Sequence, residues 1–188
     1  MSAQIRRLPL EGVLEIIPPR FTDERGFFSE TWNAAALEQH GICLQFVQDN
    51  HSHSSTAGVI RGLHYQLPPF EQDKLVRVPR GAIFDVAVDL RRERGTFGQW
   101  VGLEVSQSKW NQLLVPRGFA HGFLVLEPDT EVIYKVTAPY SPQHERSIRF
   151  DDPDLAIAWP IGEAEIVLSD KDRDAPPFSL VTVPEYLS

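Results

Sequence analysis

Only one cysteine, Cys43, occurs among the 188 residues, so the chain cannot close an internal disulfide. That absence removes the covalent staple of small secreted domains and points to a reducing compartment. Cys43 itself reads as a small buried hydrophobe. No apolar run approaches the ~18 residues a membrane helix needs. The opening MSAQIRRLPLEGVLEIIPPR places two arginines before an apolar patch, but Pro9, Glu11 and Glu15 break it well short of a secretory leader. A cytoplasmic location with no membrane partner is therefore expected. Positive charge is also scarce: 18 Lys and Arg against 26 Asp and Glu leave a formal charge of −8, a field that repels nucleic acid. Any anionic ligand must then be met by a local group of cations. The glycine spacing of phosphate loops and dinucleotide folds is missing, as is a serine in a tight Gly-flanked elbow. There is no internal repeat, low-complexity stretch or linker, so one domain is expected over residues 1–188.

What the chain does carry is alternation. With 42% hydrophobic and 23% charged residues it can bury a substantial core. In IFDVAVDL, Phe84, Val86, Val88 and Leu90 share one face while Asp85, Ala87 and Asp89 share the other, the period of a β-strand. EVIYKVTAPY repeats the pattern. GVLEIIPP, QWVGLEVS, QLLVPRGFAHGFLVL and SIRFDDPDLAIAW are further strand-like runs, with Pro and Gly turns between them. Many short strands with 15 Pro and 12 Gly predict a mainly β antiparallel sandwich or barrel. Helix signals are few. Asn33 can cap and Gly41 end a helix in NAAALEQHG, and Asp152-Pro153 can open a turn of helix.

Candidate chemistry concentrates in GVIRGLHYQLPPFEQDKLVRV, Gly58 to Val78, which reads as two strands joined by a Pro-Pro corner. Arg61, His64 and Lys74 interrupt what should be apolar core, and AHGF adds His121. Several unpaired buried cations are costly, so these residues more plausibly line a cavity that receives an anion. His51 and His53 in HSH resemble the start of a metal site, but their setting is polar and loop-like and no third ligand follows at close spacing. LSDKDRDAPP reads as a charged loop, within which Asp172 can orient a catalytic imidazole.

Eight blocks then fall in a familiar order: DERGFF, FVQDNHSHSSTAGVIRGLHYQLPP, QDKLVRVPRGAIFDVAVDLR, TFGQWVGLEVS, VPRGFAHGFLVL, EVIYKVTAPYSPQHERSI, DDPDLAIAWP and LSDKD. From about Gly12 to Pro177 the chain closely resembles the dTDP-4-dehydrorhamnose 3,5-epimerase family. The resemblance implies a cupin-type jelly roll with a few short helices, acting as a homodimer without metal or cofactor. It implies a dTDP-4-keto-6-deoxyhexose substrate, epimerised at C3 and C5 to dTDP-4-dehydro-L-rhamnose in dTDP-L-rhamnose biosynthesis. His64 falls at the position of the general base, Asp172 at that of its orienting partner and Tyr134 at that of the general acid. Lys74 falls at the position of the lysine that stabilises negative charge on the sugar oxygen. Arg25, Glu30, Gln48, Asn50, Arg61, His121, Glu145 and Lys171 take substrate-binding positions, and Tyr140 that of the aromatic near the thymine. Arg25 and Glu30 are implied to complete the partner subunit's site. The chain departs from the family pattern at Arg94-Gly95, at Ala138-Pro139 and at Phe150. Rival readings are a 3-epimerase that inverts one centre, a non-catalytic sugar-binding jelly roll and a metal-dependent cupin isomerase.

Overall fold

The computed structural model describes residues 3–162 and 165–183. The chain begins with strands β1 (Gln4–Arg7), β2 (Leu14–Ile17), β3 (Phe21–Asp23) and β4 (Gly26–Phe28), followed by helix α1 (Ala34–Glu38) and β5 (Gln48–Ser54). It continues through β6 (Ile60–Gln66), β7 (Lys74–Arg80), β8 (Ala82–Asp89), β9 (Trp100–Ser106) and β10 (Gln112–Val115). Strands β11 (Phe119–Val125), β12 (Thr130–Val136) and β13 (Glu145–Ser147) and helix α2 (Asp170–Arg173) complete it.

Two antiparallel sheets face one another, in the orders β1-β2-β10-β7-β12-β5 and β13-β6-β11-β8-β9, and β3-β4 form a separate hairpin. This is the expected double-sheet jelly roll. The two strands flanking the Pro-Pro corner, β6 and β7, enter opposite sheets. Their polar residues can therefore face each other across the interior.

Between the sheets, Val76, Val78, Ile83, Ala87, Leu113, Phe123 and Val132 form the central core. The outer face of the five-stranded sheet carries Leu63, Val86, Val88 and Ala120, covered by Leu155, Val181 and Val183 from the C-terminal segment. Leu14, Ile16, Leu75 and Leu114 on the other sheet are covered by Leu37 of α1 and Ile42. Strand β8 is thus buried on both faces, and its alternation sorts two apolar layers rather than core from solvent.

Helix α1 forms where its cap predicts, with the Asn33 side chain accepting the Ala36 N–H at 3.1 Å. Other expectations fail for local reasons. Asp152-Pro153 opens turns only, because the Asp152 carboxylate takes the N–H groups of Asp154, Leu155 and Phe178 and staples two loops. In SIRFDDPDLAIAW only Ser147 belongs to a strand. HSH lies on β5, not in a loop; His51 contacts Glu131 at 3.1 Å and His53 contacts Asp129 at 3.4 Å on the exposed face. Cys43 is exposed rather than buried.

Candidate active site

The interior is apolar over part of its length and polar over the rest. A period of two places Lys74 on the face of Val76 and Val78, His121 on that of Phe119 and Phe123, and Asp85 on that of Ile83 and Ala87. Tyr134 packs against the same core. A cavity of about 520 Å³ opens among Arg61, His64, Lys74, His121, Tyr134 and Asp172.

Strict alternation would put Arg61 and His64, three positions apart, on opposite faces. They share the cavity because β6 bulges: His121 pairs with His64 and Phe123 with Arg61, so β6 takes one step more than β11. Gly62 makes the bulge possible. Its φ is +120°, and a Cβ there would lie 2.6 Å from the Gly122 Cα and 2.7 Å from the His121 carbonyl oxygen.

His64 Nε2 lies 2.5 Å from Asp172 Oδ1. With the proton on Nε2 donated to the carboxylate, Nδ1 keeps its lone pair. Asp172 is held by a cap at the start of α2: its N–H donates to Ser169 Oγ at 3.2 Å, and Ser169 Oγ donates to its Oδ2 at 2.8 Å. Burial pushes the His64 imidazole below its usual proton affinity, while the Asp172 carboxylate pulls it back up. Burial raises the Tyr134 phenol above its ordinary value. The two groups are thereby driven apart, one toward an unprotonated base and the other toward a retained proton.

Lys74 is 8% exposed and donates from Nζ to the His64 carbonyl at 3.3 Å. Burial lowers its proton affinity to about 8, against the attraction of Asp85 and Glu145. Asp85 is fully buried: one carboxylate oxygen meets His121 Nε2 at 2.6 Å, and the other has no protein partner.

A second chamber of about 210 Å³ shares His64, Lys74 and Tyr134 with the first and adds Gln48, Asn50, Tyr140 and Glu145. Lys171 projects from α2 to pair with Glu145, whose carboxylate also accepts the Tyr140 hydroxyl at 2.8 Å. Eleven of the thirteen expected site residues therefore converge on one region: His64, Tyr134, Asp172, Lys74, Gln48, Asn50, Arg61, His121, Tyr140, Glu145 and Lys171.

Arg25 and Glu30 are elsewhere. Arg25 lies at the β3-β4 hairpin, its side chain 84% exposed and bound to Asp23, in a groove with Phe21, Phe27 and Phe28. Glu30 accepts from Asn33 at 3.4 Å. Sequence reasoning passed over Asp85 and Ser169. Asp85 was visible as an acid inside an apolar strand, and Ser169 as the start of the Ser-x-x-Asp capping pattern.

Residues 7–179 match the family model described as dTDP-4-dehydrorhamnose 3,5-epimerase. A Sinorhizobium fredii protein of that name is 49% identical over 169 residues, covering 90% of this chain and 86% of its own. The crystal structure of dTDP-6-deoxy-D-glucose-3,5-epimerase from Legionella pneumophila in complex with dTDP-4-keto-L-rhamnose superposes with a TM-score of 0.93 at 45% identity, covering 98% and 99% of the two chains. A 3'-monoepimerase from Streptomyces bikiniensis, in complex with dTDP-quinovose, reaches 0.85 at 34% identity, covering 92% and 86%. The family model, the sequence identity and the overall fold agree along nearly the whole chain, and it belongs to the dTDP-4-dehydrorhamnose 3,5-epimerase family.

Proposed function

We propose that this chain epimerises dTDP-4-dehydro-6-deoxy-D-glucose at C3 and C5 to dTDP-4-dehydro-L-rhamnose, in dTDP-L-rhamnose biosynthesis. The observation that carries the reading is the meeting of the His64–Asp172 pair, Lys74 and Tyr134 on one cavity. In a 4-keto sugar both hydrogens are α to the carbonyl, so removing either one places the charge on O4. In the gluco ring H3 and H5 stand on the same face, and one base can serve both centres. His64 takes the proton, Asp172 holds the imidazole and stabilises the imidazolium, and the Lys74 ammonium stabilises the oxyanion. Tyr134 returns a proton from the opposite face, which inverts the centre. Arg61 and Lys171 supply cations for the diphosphate, His121 lines the same cavity, and Gln48, Asn50, Glu145 and Tyr140 serve the nucleoside end. This locates the positive charge demanded of a chain whose net charge is −8.

Turnover in D2O tests the reading. Deuterium at both C3 and C5 of the product is expected. Label confined to C3 would replace it with the 3-epimerase reading, and no exchange at all would exclude proton abstraction.

The protein works in this reading as a homodimer in the cytoplasm; among the described residues no helix is long and apolar enough to cross a membrane. The exposed Phe21, Phe27 and Phe28 around Arg25 form an apolar edge suited to a second copy, whose site Arg25 and Glu30 complete. Mixing inactive His64→Ala and Arg25→Ala proteins should restore part of the activity, because one mixed site keeps both groups. Confirmed subunit exchange without recovery would remove Arg25 from the partner's site.

A further inference from the structure

Beyond β12 the chain runs through Ala138, Pro139, Tyr140 and Ser141 outside any strand, along the smaller chamber. Its backbone groups are taken up by three glutamine side chains. Gln72 Nε2 donates to the Ala138 carbonyl at 2.9 Å, and Gln48 Oε1 accepts the Tyr140 N–H at 3.0 Å. Gln66 makes the other two contacts, donating to the Pro139 carbonyl at 3.2 Å and accepting the Ser141 N–H at 2.7 Å. Gln66 also donates to the Phe70 carbonyl at 2.6 Å, which ties the segment to the Pro-Pro corner.

Gln66 is 7% exposed, at the end of β6 two residues from His64. Both of its amide hydrogens are engaged, so it has no donor left for a ligand. What it can do is hold Tyr140. That ring is about half exposed, yet its backbone N–H is bound by Gln48 and its hydroxyl by Glu145. An exposed aromatic fixed at both ends and flanked by clamped neighbours is a preorganised platform, which loses little further freedom when a planar group lies on it.

We propose that Gln66 is a positioning residue for the nucleotide end of the site, acting through Tyr140. The inference rests on the reading above, in which Tyr140 meets the base of a dTDP-sugar. Gln66 then governs nucleotide affinity and leaves the proton transfers at His64 and Tyr134 largely alone. Replacing it by an isosteric apolar side chain frees the segment and orphans three backbone groups without opening a void.

The test measures dTDP binding by calorimetry, together with kcat and KM, for the wild type, Gln66→Met, Tyr140→Ala and the double variant. Gln66→Met should weaken dTDP and raise KM by roughly 5- to 100-fold, the range of one base–aromatic stack, with kcat within about threefold. The double variant should be no weaker than Tyr140→Ala, since Gln66 has nothing left to position. Additive losses, or a fall in kcat with KM unchanged, would overturn the role of Gln66 while leaving the substrate reading intact. A wild type that does not bind dTDP overturns both. Should Gln66→Met fail to fold, Gln72→Ala removes one clamp and should show the same non-additivity with a smaller loss; unchanged binding there also overturns the proposal.

Discussion

His64→Asn is expected to lower turnover by roughly 10²–10⁴-fold, the range for loss of a general base, and to abolish deuterium wash-in at C3 and C5 together. In the proposed reaction the substitution removes the atom that receives the proton but leaves Lys74 and the binding groups in place. Affinity for dTDP should therefore survive. Tyr134→Phe should separate the two halves of the reaction, with wash-in persisting while inversion fails, because abstraction and return of the proton to one face need no acid on the other. Asp172→Asn provides the third comparison. The Asp172 carboxylate raises the proton affinity of His64 against burial, so its removal lets that affinity fall further. The acid limb of kcat/KM, expected below the ordinary imidazole value of about 6.5 in the wild type, should move to still lower pH as the plateau drops. Wild-type exchange in His64→Asn would show that another group is the base.

Gly62→Ala is expected to have a large structural effect for so small a substitution. The added methyl would lie 2.6 Å from the Gly122 Cα, inside backbone that no side-chain rotation relieves, at a φ of +120°. A loss of more than about 4 kcal/mol follows, or failure to accumulate folded protein. Gly41→Ala is the control. Its φ is +78°, but nothing lies within 4 Å of the added Cβ, so only the backbone conformation is penalised, by about 1–2 kcal/mol. Thermal unfolding of the two variants separates contact from conformation. If Gly62→Ala melts with the wild type and turns over normally, the close approach of β6 and β11 does not hold Arg61 and His64 on one face.

The residues of the site were legible in the chain, but their arrangement was not. Alternation in β8 and β12, the Pro-Pro corner and the Asn33 cap are local patterns, and each formed where the sequence placed it. Local readings failed where a distant partner decided the outcome. HSH looked like loop because its residues are polar, yet β12 pairs with it along its full length and makes it a strand. Asp152 looked like a helix start, but its carboxylate is claimed by Phe178, 26 residues away. LSDKD looked like solvated loop, while the Ser169 cap turns it into a helix that delivers Asp172 to His64 across 108 residues. The sequence by itself determined the fold class, because that follows from residue type and short-range periodicity, and it offered the candidate site residues mainly through the order of motifs shared with the family. Only the tertiary structure decided that Arg61 and His64 share a face, that Asp85 lies beneath His121, and that Arg25 and Glu30 stand apart from the cavity. Those facts depend on a bulge, a sheet partner and a hairpin's position, which are set by long-range backbone contacts that no local pattern encodes.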